Sequence, residues 1–223
     1  IHNISAGQSS AVLDNFYDPE LKPVKIKLDP SLNAANNAAK YFKDYKKACV
    51  ARQTLGKLIK ADIEEIEYLS NVADSIKRCK TTADISEIKE ELIKEGYIKK
   101  TGKRKAAEPK IGFRPEEYIS EDGFKILVGR NNVENDRLTM KFASKSDLWF
   151  HVKNAAGAHV ILITEGRQVS DNALLFAASL AAKNSSLSAS QNVPVDYTFV
   201  KSVKKPNGAK AGMVIYETNK TLY

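Results

Sequence analysis

Two stretches in the C-terminal half, Asp147–Lys153 (DLWFHVK) and Ala158–Thr164 (AHVILIT), decide the fold of this 223-residue chain. Apolar and polar residues alternate in the first stretch, which is the period of a half-buried β-strand. The short connection between the two stretches predicts an antiparallel hairpin. A hairpin centred on Ala155 places His151 directly opposite His159, because cross-strand partners lie equally far from the turn.

The same alternation assigns different roles to the two faces of the hairpin. One face is apolar and is predicted to be the core; it carries Leu148, Phe150, Val152, Ala158, Val160 and Leu162. The other face carries Asp147, Trp149, His151 and Lys153, with His159 opposite. We interpret this second face as a nucleic-acid site, in which the indole stacks on a base while the imidazoles and the lysine contact phosphate.

Two other interpretations of this face remain open. The indole and the imidazoles can be packing groups beneath a neighbouring helix, which Ile161 and Ile163 on the same face favour. His151, His159 and Asp147 can also form a metal site of two histidines and one carboxylate, although no second pair of ligands supports it. The sequence contains no GxSxG nucleophile elbow, no P-loop and no Rossmann fingerprint, which argues against three common enzyme classes.

The remaining C-terminal residues predict a compact, mixed α/β domain. Asp122-Gly123 signals a turn before the strand Phe124–Val128, and Ser170 or Asp171 caps a strongly apolar helix that ends at Lys183. The other predicted elements are a helix over Asn132–Phe142 and strands over Val195–Val203, Met213–Glu217 and Thr221–Tyr223. A length of about 110 residues is common for a single domain.

The N-terminal half predicts a β-ribbon followed by a long helix. Ala11–Tyr17 and Pro23–Leu28 are β-prone and form the ribbon. Asp29 is expected to cap a helix that begins at Pro30 and continues to about Cys79. Its apolar seam repeats mostly in steps of three and four, as in a coiled coil: Phe42, Tyr45, Cys49, Leu55, Ile59, Ile63, Ile66, Leu69, Ala73 and Ile76.

A second, shorter helix is predicted to fold back on the first. Thr81 and Asp84 have the spacing of a capping box, and Gly96 suits the position after the helix, which spans about residues 83–95. Because this helix is short, the rest of the seam needs another partner, and we expect a helix upstream of the first residue. The fold class is therefore α+β, with a β-ribbon connector at 1–30, an antiparallel coiled-coil arm at 31–98, a basic linker at 99–114 and the compact domain at 115–223.

The charge of the chain favours a polyanionic partner. Lysine and arginine number 35 against 27 acidic residues, giving a net charge of +8, so nucleic acid is favoured ahead of anionic lipid. The strand end at Arg130–Asn132 and the basic turn Lys204–Lys210, which contains Pro-Asn-Gly, can both approach phosphate closely. The candidate nucleic-acid-binding residues are Arg130, Asn131, Asn132, Lys145, Asp147, Trp149, His151, Lys153, His159, Lys204, Lys205 and Lys210.

Composition also limits the cellular setting. Cys49 and Cys79 lie far apart on the predicted helix and neither belongs to a CxxC motif, so we expect free thiols in a reducing compartment. No run of about 18 apolar residues is present, which excludes a transmembrane helix. No secretory signal peptide is visible, and the start at Ile1 indicates a fragment.

Several of these segments resemble one protein family in their order and spacing. The residues from about 115 to 223 resemble the NFACT-R domain in Lys125–Asn132 (KILVGRNN), Asp147–Lys153 (DLWFHVK), Gly157–Ile161 (GAHVI), Val195–Thr198 (VDYT) and Lys204–Lys210 (KKPNGAK). Upstream, Leu28–Pro30 (LDP) and Asn37–Lys43 (NAAKYFK) resemble the middle coiled-coil region of the same proteins.

The resemblance implies a role in ribosome-associated quality control. It implies binding to the large ribosomal subunit, both rRNA and ribosomal proteins, when that subunit is obstructed by the peptidyl-tRNA of a stalled nascent chain. It also implies recruitment of tRNA, mainly alanyl-tRNA, for template-free C-terminal tailing with alanine. The family's N-terminal parts, with the Asp-Arg pair needed for tailing, lie outside this chain.

We therefore expect a cytoplasmic binding module that is not an enzyme and uses no cofactor, metal or membrane. The rival class is a surface adhesion protein that binds fibronectin or fibrinogen, because the family also carries that label.

Overall fold

A computed structural model describes residues 4–5, 7–99 and 112–223 of the chain. The chain divides into two compact units, Ile1–Asp62 and Ile63–Tyr223, and the division falls inside the longest helix. Most of the predicted basic linker lies outside the described residues, and the domain boundaries proposed above remain predictions. In the described part of the chain, no helix is long and apolar enough to cross a membrane.

The first unit begins with the predicted ribbon. Strands β1 (Ser10–Asp14) and β2 (Pro23–Lys27) pair in antiparallel register, with Val12 opposite Lys25. The prediction of a hairpin is confirmed, although both strands are shorter than predicted.

Helix α1 spans Ala34–Arg78 and begins later than predicted. Capping by Asp29 is wrong, because its carboxylate instead accepts a hydrogen bond from the Ser31 amide (3.1 Å) within a turn that precedes the helix. Asn33 is the residue that caps the helix, since its side-chain oxygen accepts from the Asn36 amide at 2.8 Å. The helix therefore starts after the turn.

The apolar seam of α1 is exposed along its first part. Phe42, Tyr45 and Ile59 are 58%, 64% and 58% exposed. The prediction of one long helix is confirmed, whereas the coiled-coil packing of its seam and the expected helical partner stay predictions.

In the second unit, α2 (Thr82–Lys94) folds back on the end of α1, as predicted. The Thr81 hydroxyl accepts from the Asp84 amide at 3.2 Å and the Asp84 carboxylate accepts from the Thr81 amide at 2.9 Å, so both halves of the capping box are formed. Gly96 follows the helix with a φ of 85°, a conformation that glycine adopts readily. The buried contact between the two helices is formed by Tyr68, Val72 and Ile88.

An antiparallel sheet of six strands forms the centre of the second unit. Its strands are β3 (Glu116–Ile119), β4 (Lys125–Val128), β5 (Leu148–Val152), β6 (Val160–Leu162), β7 (Val195–Phe199) and β10 (Lys220–Leu222), in the order β10-β7-β5-β6-β4-β3. Between β5 and β6, Trp149 lies opposite Ile161 and Phe150 opposite Val160. This is the register predicted from a hairpin centred on Ala155. A separate ribbon pairs β8 (Val203–Lys204) with β9 (Ile215–Tyr216).

The two faces of the sheet pack in different cores. Helix α4 (Asp171–Lys183), capped by Ser170, covers the face that was predicted to be the core. Buried residues in this layer include Phe150, Val160, Ala173, Ala177 and Ala181. The opposite face forms a second apolar cluster of Leu127, Leu138, Trp149, Ile161, Val200 and Val203.

Three elements differ from the prediction. The helix predicted over Asn132–Phe142 is α3 (Asn132–Arg137) followed by a π-helical turn over Leu138–Phe142. The strand predicted to end at Val203 is interrupted by a 3-10 turn, Val200–Ser202, because the Val200 side chain enters the second cluster. Strand β3 was not predicted, and its adjacent glutamates are weak β-formers.

Candidate nucleic-acid interface

The predicted histidine face exists, but its tryptophan is buried. The ring centroids of Trp149 and His151 are 5.6 Å apart, and those of His151 and His159 are 5.5 Å apart. Trp149 is 0% exposed, and the ring of Tyr216 packs against it with 4.7 Å between centroids. The prediction that the indole is an open stacking platform is therefore wrong, because residues of the second apolar cluster cover it.

His159 is also a packed residue. Its Nδ1 lies 2.8 Å from the Thr139 hydroxyl oxygen, and its backbone amide donates to the Asn135 side-chain oxygen at 3.1 Å. His159 is 2% exposed, so it is not available to phosphate.

His151 is only partly buried, and it lies at the floor of a cleft of about 870 Å³. The cleft separates the last turns of α1 from the sheet. Four rings form its floor: Trp149, His151, His159 and Tyr216. We call this space the histidine cleft. Its wall and rim include Ser70, Asn71, Ala73, Lys77, Asn154 and Met213.

Both imidazoles at this floor are held in the neutral form. Loss of hydration on burial lowers the pKa of His151 to about 4. Burial, together with repulsion from His151, also lowers the pKa of His159 well below its ordinary value. The charged groups that act on His151 are Asp196, which opposes the lowering, and Arg78, which adds to it. At neutral pH the floor of the cleft is therefore uncharged.

These depressed pKa values predict a loss of stability on mild acidification. Between pH 6.5 and about 4 the unfolded chain binds protons at His151 that the folded chain does not, so stability is complete above this range and falls as the pH drops through it. We expect His151 to contribute a loss of about 2 kcal/mol between pH 7 and pH 5. Urea unfolding at the two pH values measures this loss, and His151→Gln should reduce it; an unchanged difference in the variant would contradict the assignment.

Asp147 is a structural residue, not a ligand. Its carboxylate accepts hydrogen bonds from the amides of Ser144 (2.8 Å) and Thr164 (2.9 Å), so both of its oxygens are used to hold neighbouring loops. Among the residues that the structure describes, no group of three His, Cys, Asp or Glu side chains could hold a metal ion. Lys153 is exposed, with Nζ 3.9 Å from Asp196, so its predicted contact with RNA stays a prediction.

Arg130 is engaged by acidic residues. Its guanidinium contacts the Asp84 carboxylate of α2, and its Nε lies 3.0 Å from Glu134. The Arg130 side chain is only 18% exposed. A phosphate could reach it only by replacing these carboxylates, so the structure argues against the predicted phosphate contact.

Asn131 and Asn132, like Arg130, contact acidic side chains of α2. The Asn131 amide nitrogen donates to Glu87 at 2.7 Å, and the Asn132 amide nitrogen donates to Glu91 at 3.1 Å. Each asparagine is 2% exposed. They fasten α2 to the end of β4, and their predicted contact with phosphate is wrong because the side chains are buried.

Two of the three lysines in the basic turn have acidic partners. Lys205 Nζ lies 2.6 Å from Asp136. Lys210 Nζ contacts the Glu65 carboxylate and lies 4.5 Å from the ring centroid of Tyr68. Lys204 is exposed on β8. Of this turn, Lys204 is thus the lysine best placed for an external anion.

An exposed aromatic residue lies beside lysines at the end of β7, and sequence analysis missed this aromatic residue. Phe199 is 47% exposed, and Lys201 Nζ lies 5.1 Å from its ring centroid. The Lys201 amide donates to the Lys145 carbonyl at 3.2 Å, so these two exposed lysines occupy adjacent segments. We call Lys145, Phe199, Lys201 and Lys204 the Phe199 surface. The signal in the sequence is an aromatic residue and a lysine two positions apart, which the prediction of an unbroken strand concealed.

Phe199 also lines a second cleft, which has a volume of about 440 Å³. It combines an aromatic wall, hydroxyl groups and two cationic side chains. The residues that supply these groups are Tyr197, Phe199, Ser146, Thr164, Thr198, Thr218, Arg167 and Lys220. Exposed aromatic rings beside cations are the arrangement that binds single-stranded nucleic acid by stacking and charge.

Comparison with known proteins assigns both halves of the chain to one family. Residues 1–110 match the NFACT N-terminal and middle domains, and residues 114–217 match the NFACT protein RNA binding domain. The chain belongs to the NFACT family. The resemblance inferred from the sequence is therefore confirmed.

The chain is similar over its whole length to curated members of this family. It is 41% identical over 223 residues to the Rqc2 homolog RqcH of Streptococcus suis and 35% identical over 228 residues to that of Bacillus subtilis. It spans 39% of the length of each of these relatives. The solved structure of the C-terminal of the fibronectin/fibrinogen-binding protein from S. suis is 41% identical, with a TM-score of 0.76, and covers 84% of this chain; the match includes 75% of that structure.

Proposed function

We propose that the second unit binds RNA through the Phe199 surface, as part of a factor for ribosome-associated quality control. The observation that carries the proposal is the coincidence of a matched RNA binding domain with an exposed phenylalanine flanked by lysines. Stacking on Phe199 accounts for affinity to unpaired bases, and the lysines account for affinity to phosphate. The net charge of +8 adds attraction at longer range.

The finer parts of the proposal follow the relatives. As a segment of an RqcH-like protein, the chain would bind the obstructed large ribosomal subunit in the cytoplasm and help recruit tRNA, alanyl-tRNA in particular, beside peptidyl-tRNA. Alanine tailing would require parts of the protein beyond this segment, because the chain spans 39% of the matched relatives. The chain itself would act as a binding module and not as an enzyme.

A second candidate function is adhesion to fibronectin or fibrinogen, since the similar S. suis structure carries that name. The two functions are separated by titrating the full chain with fluorescently labelled tRNA and, in parallel, with immobilised fibronectin at several salt concentrations. We expect RNA binding in the micromolar range or weaker, with an affinity that falls steeply as salt rises. Saturable fibronectin binding that resists nuclease treatment, together with absent or salt-independent RNA binding, would favour adhesion.

A further inference from the structure

The histidine cleft contains a buried donor that lacks a partner. Within the described residues, Trp149 Nε1 is a buried side-chain atom without a hydrogen-bond partner. Leaving such a donor unpaired costs roughly 1–3 kcal/mol, so an acceptor that reaches it is favoured. Trp149 contributes to the lining of the cleft, which places this donor beside a space large enough for a small ligand.

The shape and charge of the floor of the histidine cleft favour a ligand group that is flat and neutral. Trp149 and His151 stack with 16° between their planes, and His159 meets both rings edge-on at 84°. His151 and Tyr216 are the partly exposed rings of the floor, and they offer a surface on which another aromatic ring can pack. The neutral imidazoles leave no net positive charge at the floor that would select a free anion.

The rim supplies polar groups around this aromatic floor. Ser70, Asn71 and Asn154 offer hydroxyl and amide groups, and the exposed Lys77 places a cation at the edge. Asn71 also joins the two walls, because its side-chain oxygen accepts from the Gly157 amide at 3.2 Å. Glu67 and Asp74 also line the cleft, and Asp74 is paired with Arg78 at 2.8 Å, so the lining has no excess of positive charge. A ligand with a planar base at the floor and ribose hydroxyl groups at the rim matches this order of groups.

From this arrangement we infer that the histidine cleft binds a single unpaired nucleobase of an RNA ligand, with an in-plane acceptor of the base taking the Trp149 indole proton. The inference rests on the proposed RNA-binding function and adds a second contact site, distinct from the Phe199 surface. Trp149 is shielded from water, so the base must displace a side chain to reach Nε1. Met213 lines the same cleft and can move aside, since its side chain is flexible and its sulfur has only a weak contact, 3.9 Å from the Asn71 amide nitrogen.

The chain has one tryptophan, so its fluorescence reports on the cleft directly. The probes are a short single-stranded RNA with a terminal dye, the same RNA with its bases replaced by abasic sites, and free nucleosides. Dye anisotropy measures binding anywhere on the chain, whereas Trp149 emission measures occupancy of the cleft. We expect a saturable change of Trp149 emission with the complete RNA and with nucleosides, and none with the abasic RNA.

Two variants of α1 provide the matched comparison. Ala73→Phe fills the cleft, whereas Ala61→Phe makes the same change at an exposed position outside its lining. Ala73→Phe should abolish the emission change and lower RNA affinity two- to tenfold, and Ala61→Phe should leave both as in the parent chain. If dye anisotropy shows RNA binding but Trp149 emission does not change with the bases of the RNA, the assignment of the cleft as a base-binding site is wrong. The proposed RNA-binding function would still stand in that case. No binding in either readout would overturn both.

Discussion

Replacing Trp149 with alanine is expected to lower the free energy of unfolding by about 3–5 kcal/mol, the range for removal of a fully buried large aromatic side chain. Trp149 is 0% exposed and belongs to the second apolar cluster. Its loss leaves a cavity bordered by Leu127, Leu138 and Ile161, and strands on either side cannot close it without breaking the sheet. Urea unfolding of the variant and the parent chain measures the difference.

Phe199→Ala is the matched control for this prediction. Phe199 is also aromatic and also belongs to the central sheet, but it is 47% exposed. Its removal should change the free energy of unfolding by no more than about 0.5 kcal/mol. Phe199→Ala should in addition lower RNA affinity about fivefold or more, because one stacked base is lost. If Trp149→Ala unfolds with the same free energy as the parent chain, the assignment of the indole to the buried core is wrong.

The hairpin around Ala155 shows what local sequence can predict. Its register depends on a short connection and on a period of two, and both are visible within 20 residues of chain. The structure confirms the register at Trp149 opposite Ile161. What covers each face was not predictable in this way, because Leu138, Val200 and Tyr216 reach Trp149 from three separate segments. The alternation of apolar and polar residues shows which side chains share a face of the sheet. It does not show whether that face is exposed to solvent.

Most of the charged residues predicted to bind RNA are not free to do so, because segments distant in the sequence contact them. Lys205 and Lys210 belong to a strongly basic turn, which suggests free cations. Their acidic partners, Asp136 and Glu65, lie 69 and 145 residues away in the sequence. Arg130 likewise meets Asp84, which is 46 residues upstream. Ion pairs between segments distant in the sequence cannot be predicted from composition or motifs. The number of lysines in a basic segment is therefore larger than the number that can bind an external anion.

Replacing Lys145, Lys201 and Lys204 together with glutamine is expected to lower RNA affinity about 10- to 100-fold near 0.1 M salt. All three are exposed and belong to the Phe199 surface, where each can neutralise a phosphate. Each lost contact should reduce the slope of log affinity against log salt by about 0.7 for single-stranded RNA, so the triple variant loses about 2. Anisotropy titrations of one RNA over a series of salt concentrations measure both quantities.

The control for this prediction is a variant with the same net charge. Replacing Lys89, Lys94 and Lys183 with glutamine also lowers the net charge from +8 by three, and these lysines are exposed on α2 and α4 and do not belong to the Phe199 surface. This variant should lose less than about threefold in affinity, because it removes no lysine of the proposed binding surface and salt screens the attraction between more distant charges. Lys205→Gln combined with Lys210→Gln should also have little effect on affinity, since Asp136 and Glu65 already compensate both lysines. Equal losses in the two triple variants would mean that RNA responds to total charge only, and the Phe199 surface would then have no special role.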